Sequence, residues 1–499
     1  MGSIAMMAVV SLASCSANSD FDNTNTTDPN TKESVQSPVE FGTYLAQSKN
    51  TRAGENATAS ASDASEMTTD ELKTKGFGVI VFYTESTEYT AGQNTTEPNF
   101  MYNTDVTGKD GDNGVVDWTY EPIKYWPNGG QGDATKGDAT PENKTQYLSF
   151  FAYAPYKNVD KTTGSTGSTP GITALSANDS KSDPTVTYVL GATGAEADLL
   201  WGTAGSNGTT TSGVDQTGSD FSDKAQVKAK AKVNANLTKM KVGGKVQFNF
   251  KHALAKFGGT GAGTDNKTSG LMVVADIDNG TETTGGSLDA NTTKITVKSI
   301  KIESVPSDVK DTKESNIPTS GTFNLATGVW TTSDTNKGKI DYEINSPKAT
   351  ASEGATAETL SEAIAEPASV KSWDDLKNIT GVTTTAQNVY TENRPLLIIP
   401  DGKDHVFRIT IDYIVRTQDT ALHQGYTEVE QSFHKDLTLK TVSLNAKYNL
   451  LIHLGLTSVK FDATVSNWNN TTMGDPISSS STDPNPTEIY MPANVASAK

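Results

Sequence analysis

"PVEFGTYLAQS" (38–48) puts Val39, Phe41 and Leu45 on one side, together with Thr43. A period of two is that of a strand with one buried face. Short apolar segments between turn-rich stretches recur from there to the far end of the chain. The first half carries "FGVIVFYT" (77–84), "NFMYNTDVTG" (99–108), "YLSFFAYAP" (147–155) and "PTVTYVLGA" (184–192). The second begins at "GKVQFNFKHALAKF" (244–257) and runs through "GLMVVADID" (270–278), "KITVKSIKIESV" (294–305) and "GTFNLATGVW" (321–330). It closes with "HVFRITIDYIVRT" (405–417) and "KYNLLIHLGLTSVKFDATVSNW" (447–468). Helical periodicity is scarce; 356–370 and 372–378 are the segments that predict short helices. Many short strands between turn signals predict an all-β chain of two tandem Greek-key β-sandwich domains, with short helices in loops. The expected divisions are 53–235 and 236–475, with the polar tract 203–222 as a loop or inter-domain stretch.

The bulk properties narrow the function. A chain of 499 residues with a formal net charge of −18 lacks the basic patch that phosphate binding needs, so no nucleic-acid partner is expected. A single cysteine, Cys15, excludes an intramolecular disulfide framework. It follows "IAMMAVVSLAS", an apolar run too short to span a bilayer. "LASC" (12–15) resembles a bacterial lipobox, in which the cysteine thiol takes a lipid such as palmitate and becomes the mature N-terminus. The signal peptide would then be residues 1–15. No Lys or Arg precedes the apolar run, which puts the expected translation start upstream of Met1. Residues 16–37 are polar and read as a flexible tether.

Chemistry of the enzymatic kind finds no foothold. The five histidines (His252, His405, His423, His434, His453) form no HxH or HExxH pair, so no metal site is expected. "KDGDNGVVD" (109–117) lacks the closing glutamate of a calcium loop, and "DIDNG" (276–280) reads as a strand end with an Asn-Gly turn. There is no nucleophile elbow, phosphate loop or dinucleotide fingerprint. No catalytic residue and no cofactor are assigned, and the chain reads as a non-enzyme. "WTYEPIKYWP" (118–127) gathers Trp118, Tyr120, Tyr125 and Trp126. These rings suit either a carbohydrate-binding face or core packing beside a turn.

Arginine is rare and unevenly placed. After Arg52 the next is Arg394, followed by Arg408 and Arg416. Arg52 lies in "KNTRAGENATASASDASE" (49–66), a small polar stretch that predicts accessibility. Arg394 precedes a proline, and the last two lie in predicted strands. An arginine-restricted protease would therefore cut once. At the other end, the polar linker 477–487 leads to "EIYMPANVASAK" (488–499), where Ile489, Met491, Ala493 and Val495 recur at period two. They read as a second detachable strand or as a disordered tail. Pro492 falls on the opposite face and forfeits one ladder donor.

The ordered set of segments resembles the fimbrillins, the subunits of type V pili, in their Mfa-like branch. The lipobox, "VEFGTYLAQS…TRAG", "VDWTYEPIKYWP", "YLSFFAYAPY", "ADLLWG" (197–202), "FNFKHALAKF", "GTFNLATGVW" and the 448–469 stretch carry the resemblance over most of the chain. It implies transthyretin-like sandwiches and a lipoprotein precursor bound to the outer membrane. It also implies an Arg-specific surface protease that cuts between Arg52 and Ala53, ending a 16–52 propeptide. The N-terminal strand with Val39, Phe41 and Leu45 would leave, and a C-terminal strand (476–499 with its linker) from another copy or a related pilus subunit would fill the groove. The expected location is the fimbria at the cell surface, in adhesion, with a host glycan or protein as a further partner. The alternative is a tip adhesin or a surface glycan-binding lipoprotein.

Overall fold

The computed structural model describes residues 37–45, 67, 69–111, 116–127, 146–159, 170–190, 198–204, 233–240, 243–258, 270–275, 288–304, 317–333, 337–338, 340–346, 356–389, 396–439, 442–456 and 459–467. Among these the chain is built almost wholly of strands stacked in sheets, with two short helices, Thr69–Lys75 and Trp373–Leu376. No helix among the described residues is long and apolar enough to cross a membrane.

The largest sheet runs, edge to edge, Glu40–Leu45, Lys245–His252, Leu200–Ala204, Leu148–Ala154, Phe77–Tyr83, Met101–Asp110 and Val116–Thr119, with Asn234–Leu237 also pairing the 148–154 strand. Its central strands lack alternation because both faces are covered. Every residue of 148–154 is buried, as are six of the seven in 77–83. On one face lie Phe77, Val79, Val81, Phe150, Phe248 and Phe250, covered by Leu72 of the first helix and by Tyr120 and Trp126. On the other face Ile80, Phe82, Phe151, Tyr153 and Trp201 meet a four-stranded sheet ordered Val329–Thr331, Ser320–Asn324, Thr185–Val189, Gly171–Leu175. Two indoles fasten these layers: Trp201 Nε1 donates to Leu325 O at 2.8 Å and Trp330 Nε1 to Ala253 O at 2.7 Å. Gly328, at φ +69°, turns the 320–331 hairpin against the Trp201 ring, where a Cβ would collide with the indole.

A second sandwich uses the later strands. One sheet centres on Ala446–Leu454, flanked by Val459–Asn467, Leu271–Ala275 and Ala255–Phe257, with Gln387–Asn388 and Leu396–Ile398 at its margins. The other is ordered Thr356–Thr359, Asp341–Asn345, Thr293–Ser304, His405–Gln418, Tyr426–Leu439. Ile295, Ile300, Ile302, Phe407, Ile409, Ile411 and Tyr413 of the latter pack on Leu271, Val273, Leu450 and Ile452 of the former.

Of the two expected helices, one forms and one does not. Residues 372–378 do hold a helix, Trp373–Leu376, with Ser372 at its N-cap. Residues 356–370 do not. Thr356–Thr359 is a strand parallel to 341–345. The backbone then turns and is stitched to Val297, whose N–H donates to Ile364 O and whose carbonyl accepts from Glu366 N, both at 2.8 Å. Ala- and Glu-rich propensity is a weak prior that such long-range pairing overrides. The Thr69–Lys75 helix, by contrast, has no expectation behind it, although Asp70 and Glu71 in its first turn and Lys73 and Lys75 in its last suit the helix dipole.

Candidate functional site

The 40–45 strand ends the largest sheet, and its backbone has one ladder partner. It runs parallel to 245–252, with Glu40 opposite Lys245, Phe41 opposite Val246 and Leu45 opposite Phe250. On its other flank the residues just before it meet the chain beyond the 116–119 strand. Pro38 bridges Tyr125, Val39 N–H donates to Lys124 O at 2.8 Å, and Trp126 N–H donates to Ser37 O at 2.9 Å. The segment 37–45 thus lies in a groove walled by 245–252 and by 120–126.

Apolar side chains fill that groove. Val39 and Phe41 are each 1% exposed and Leu45 is buried. The Phe41 ring is centred 5.3 Å from Tyr120, 5.9 Å from Phe248, 6.1 Å from Phe77 and 6.2 Å from Phe150. Fully buried side chains of this size contribute roughly 1.5–3 kcal/mol each. Thr43, on the same side by alternation, is half-buried. On the opposite side Gly42 is buried beneath the Gln247 side chain, which occupies the space of a Cβ.

Tyr120 closes the wall. Its hydroxyl donates to Val39 O at 2.8 Å and accepts from Lys124 N–H at 3.2 Å. Burial pushes the phenol up to about 12, against the opposing pull of the Lys124 amide, so it remains a donor at neutral pH. Trp126 packs on Phe150 at 5.6 Å and Trp118 on Phe77 at 5.1 Å. Of the four rings expected to form either a ligand face or core, Tyr120 and Trp126 are buried and Trp118 is half-buried. Tyr125, 46% exposed, is the one that faces solvent, next to exposed Ile123. The four therefore present no common exposed surface.

The 245–252 strand is also fastened to its other neighbour, 200–204. His252 Nδ1 and Asp198 Oδ2 lie 2.5 Å apart, both side chains buried, and His252 pairs Leu200 across the ladder. Thr203 Oγ1 donates to Asn249 O at 2.6 Å. Sequence reasoning missed this pair: both residues lie in noted segments, but only strand register brings them together. A second buried pair, His405 Nε2 with Asp401 Oδ1 at 2.8 Å, ties the start of the 405–418 strand. Among the described residues no group of three or more His, Cys, Asp or Glu could hold a metal ion.

Arg408 and Arg416 are both locked. Arg408 makes a bidentate pair with Asp436, at 2.8 and 3.1 Å. Arg416 is bidentate to Glu366, at 2.8 and 3.0 Å, and bonds Glu428 at 2.7 Å. Cys15, Arg52, Ala53, Arg394 and the 489–495 positions (Ile489, Met491, Ala493, Val495) lie outside the described residues.

No protein-family model matches the chain, and no curated protein matches it. Among solved structures, the fold is similar to that of a fimbrial protein from Bacteroides vulgatus, with a TM-score of 0.51 and 17% identity over 86% of this chain and 99% of that one. A candidate cell adhesion protein from Bacteroides uniformis aligns at a TM-score of 0.33 and 13% identity over 88% and 100% of the two chains. The likeness to the first is one of fold.

Proposed function

We propose that the chain is a structural subunit of a cell-surface pilus, made as a lipoprotein precursor and lipidated at Cys15. It comprises two β-sandwich domains, expected at 53–235 and 236–475, with the 245–252 and 320–331 strands of the later stretch built into the first. Proteolysis between Arg52 and Ala53 activates it, and it then polymerises by strand exchange. The observation that carries this reading is the 37–45 segment: an end strand with one ladder partner, whose apolar side chains fill an aromatic groove. The fimbrial protein of similar fold supports the same direction. While the chain is intact, the segment fills the groove in cis, with an effective concentration of the millimolar order. Severing the tether at Arg52 removes that advantage. The Ile489, Met491, Ala493 and Val495 strand of a second copy then adds to the exposed edge, as in other donor-strand complexes. The linker of 11 residues (477–487) spans about 35–40 Å when extended, enough to leave one subunit and reach the next. The tip-adhesin alternative drew on a glycan-binding face at 118–126, and the burial of Tyr120 and Trp126 disfavours it.

Arg52→Ala, treated with an arginine-specific protease and viewed by electron microscopy, should remain uncleaved and form no filaments, whereas the unmodified chain forms filaments whose N-terminal sequence starts at Ala53. Filaments from Arg52→Ala would overturn the scheme.

A further inference from the structure

The sheet edge formed by Tyr426–Leu439 is a different kind of margin. Its 14 residues pair with His405–Gln418 on one side along the full length. On the other side no backbone hydrogen bond from 427–438 to another segment is made among the described residues. The ends are anchored: Tyr426, Leu437 and Leu439 are buried. Between them Thr427, Glu428, Val429, Glu430, Ser432 and His434 are exposed. A long open edge is a template for another strand, and natural proteins usually guard it with charge.

The acidic side chains here share one face, and Lys435 lies on the other. Glu428 is held by Arg416 and Glu430 by Lys298 on one face. On the other face, which carries the sandwich core, Val429 is 49% exposed and Phe433 stacks on Tyr413 at 6.2 Å. Side chains directly opposite in an antiparallel pair share a face, so two copies of this strand can pair in continuous sheet only about a residue position. Centred on Gln431, the pairing sets Val429 against Phe433 twice and Glu428 against His434 twice, with no like charges opposed. Centred on Ser432, it sets Glu428 against Asp436; centred on Glu430, it sets Glu430 against its own copy. Like charges directly opposite are destabilising.

We propose that the 426–439 edge is a lateral contact between two copies of this chain, paired antiparallel about Gln431. This goes beyond strand exchange and needs no proteolysis, so it is tested on uncleaved Arg52→Ala chain with Cys15→Ser to remove the native thiol. In this register two Gln431 Cα atoms lie about 4.5–5.5 Å apart, within disulfide reach, and two Thr427 lie about 26 Å apart. Under mild oxidation Q431C should form a disulfide-linked dimer and T427C should not. By sedimentation equilibrium V429K should raise the dimer dissociation constant at least tenfold with unfolding unchanged. Q431C no more cross-linked than T427C, or a V429K dissociation constant within threefold of the parent, overturns the proposal; an intermediate rise with Q431C-selective cross-linking upholds it.

Discussion

Two of the strands that end sheets in this molecule do so in opposite ways. Glu40–Leu45 is six residues long and parallel to its one ladder neighbour, yet its Phe41 and Leu45 side chains are buried in the core. Tyr426–Leu439 is 14 residues long and antiparallel to its neighbour, but its middle buries little on either face. The first puts its apolar side chains into the core; the second is held by its ladder and gives the core only one end, Leu437 and Leu439 with Phe433 against them. A strand can therefore be a plug or a margin. What separates them is where the apolar side chains go, not how many backbone bonds are made. Loss of a plug leaves a hydrophobic slot that must be refilled, whereas a margin simply adds a neighbour.

Three substitutions sharpen the contrast. Phe41→Ala empties the centre of the plug and should lower the unfolding free energy of the uncleaved chain by about 3–5 kcal/mol, the range for buried Phe truncations; chemical denaturation measures it. A loss under about 1 kcal/mol would mean the groove collapses without its plug. Tyr120→Phe leaves the buried Val39 carbonyl without its hydroxyl donor and should cost about 1–2 kcal/mol. It should also speed amide exchange at Val39, whose N–H bonds the Lys124 carbonyl in the same wall. Val429→Lys on the open margin should change the unfolding midpoint by an amount equivalent to about 0.5 kcal/mol or less. A large destabilisation there would show that the margin is part of the core after all.

Much of the strand content is legible in the sequence, because period-two alternation at 245–252 and continuous apolar runs at 77–83 and 148–154 are local signals. The burial of Val39, Phe41 and Leu45 follows from the same alternation. What is not legible is long-range. Nothing local says that 40–45 pairs with 245–252, or that His252 meets Asp198. The 356–370 segment reads as helix because Ala, Glu and Leu favour one, and tertiary pairing makes its start a strand. In 118–126 the sequence gathers four rings but cannot tell the buried Tyr120 and Trp126 from the exposed Tyr125. Their separation depends on the chain doubling back against Ser37–Val39.

The plug's replaceability is tested most directly by native mass spectrometry. The chain is cut with an arginine-specific protease and incubated with a synthetic peptide of residues 488–499. The account predicts that the fragment ending at Arg52 leaves and one peptide takes its place on the body beginning at Ala53. A fragment that stays bound at saturating peptide, with no peptide mass gained, would contradict it.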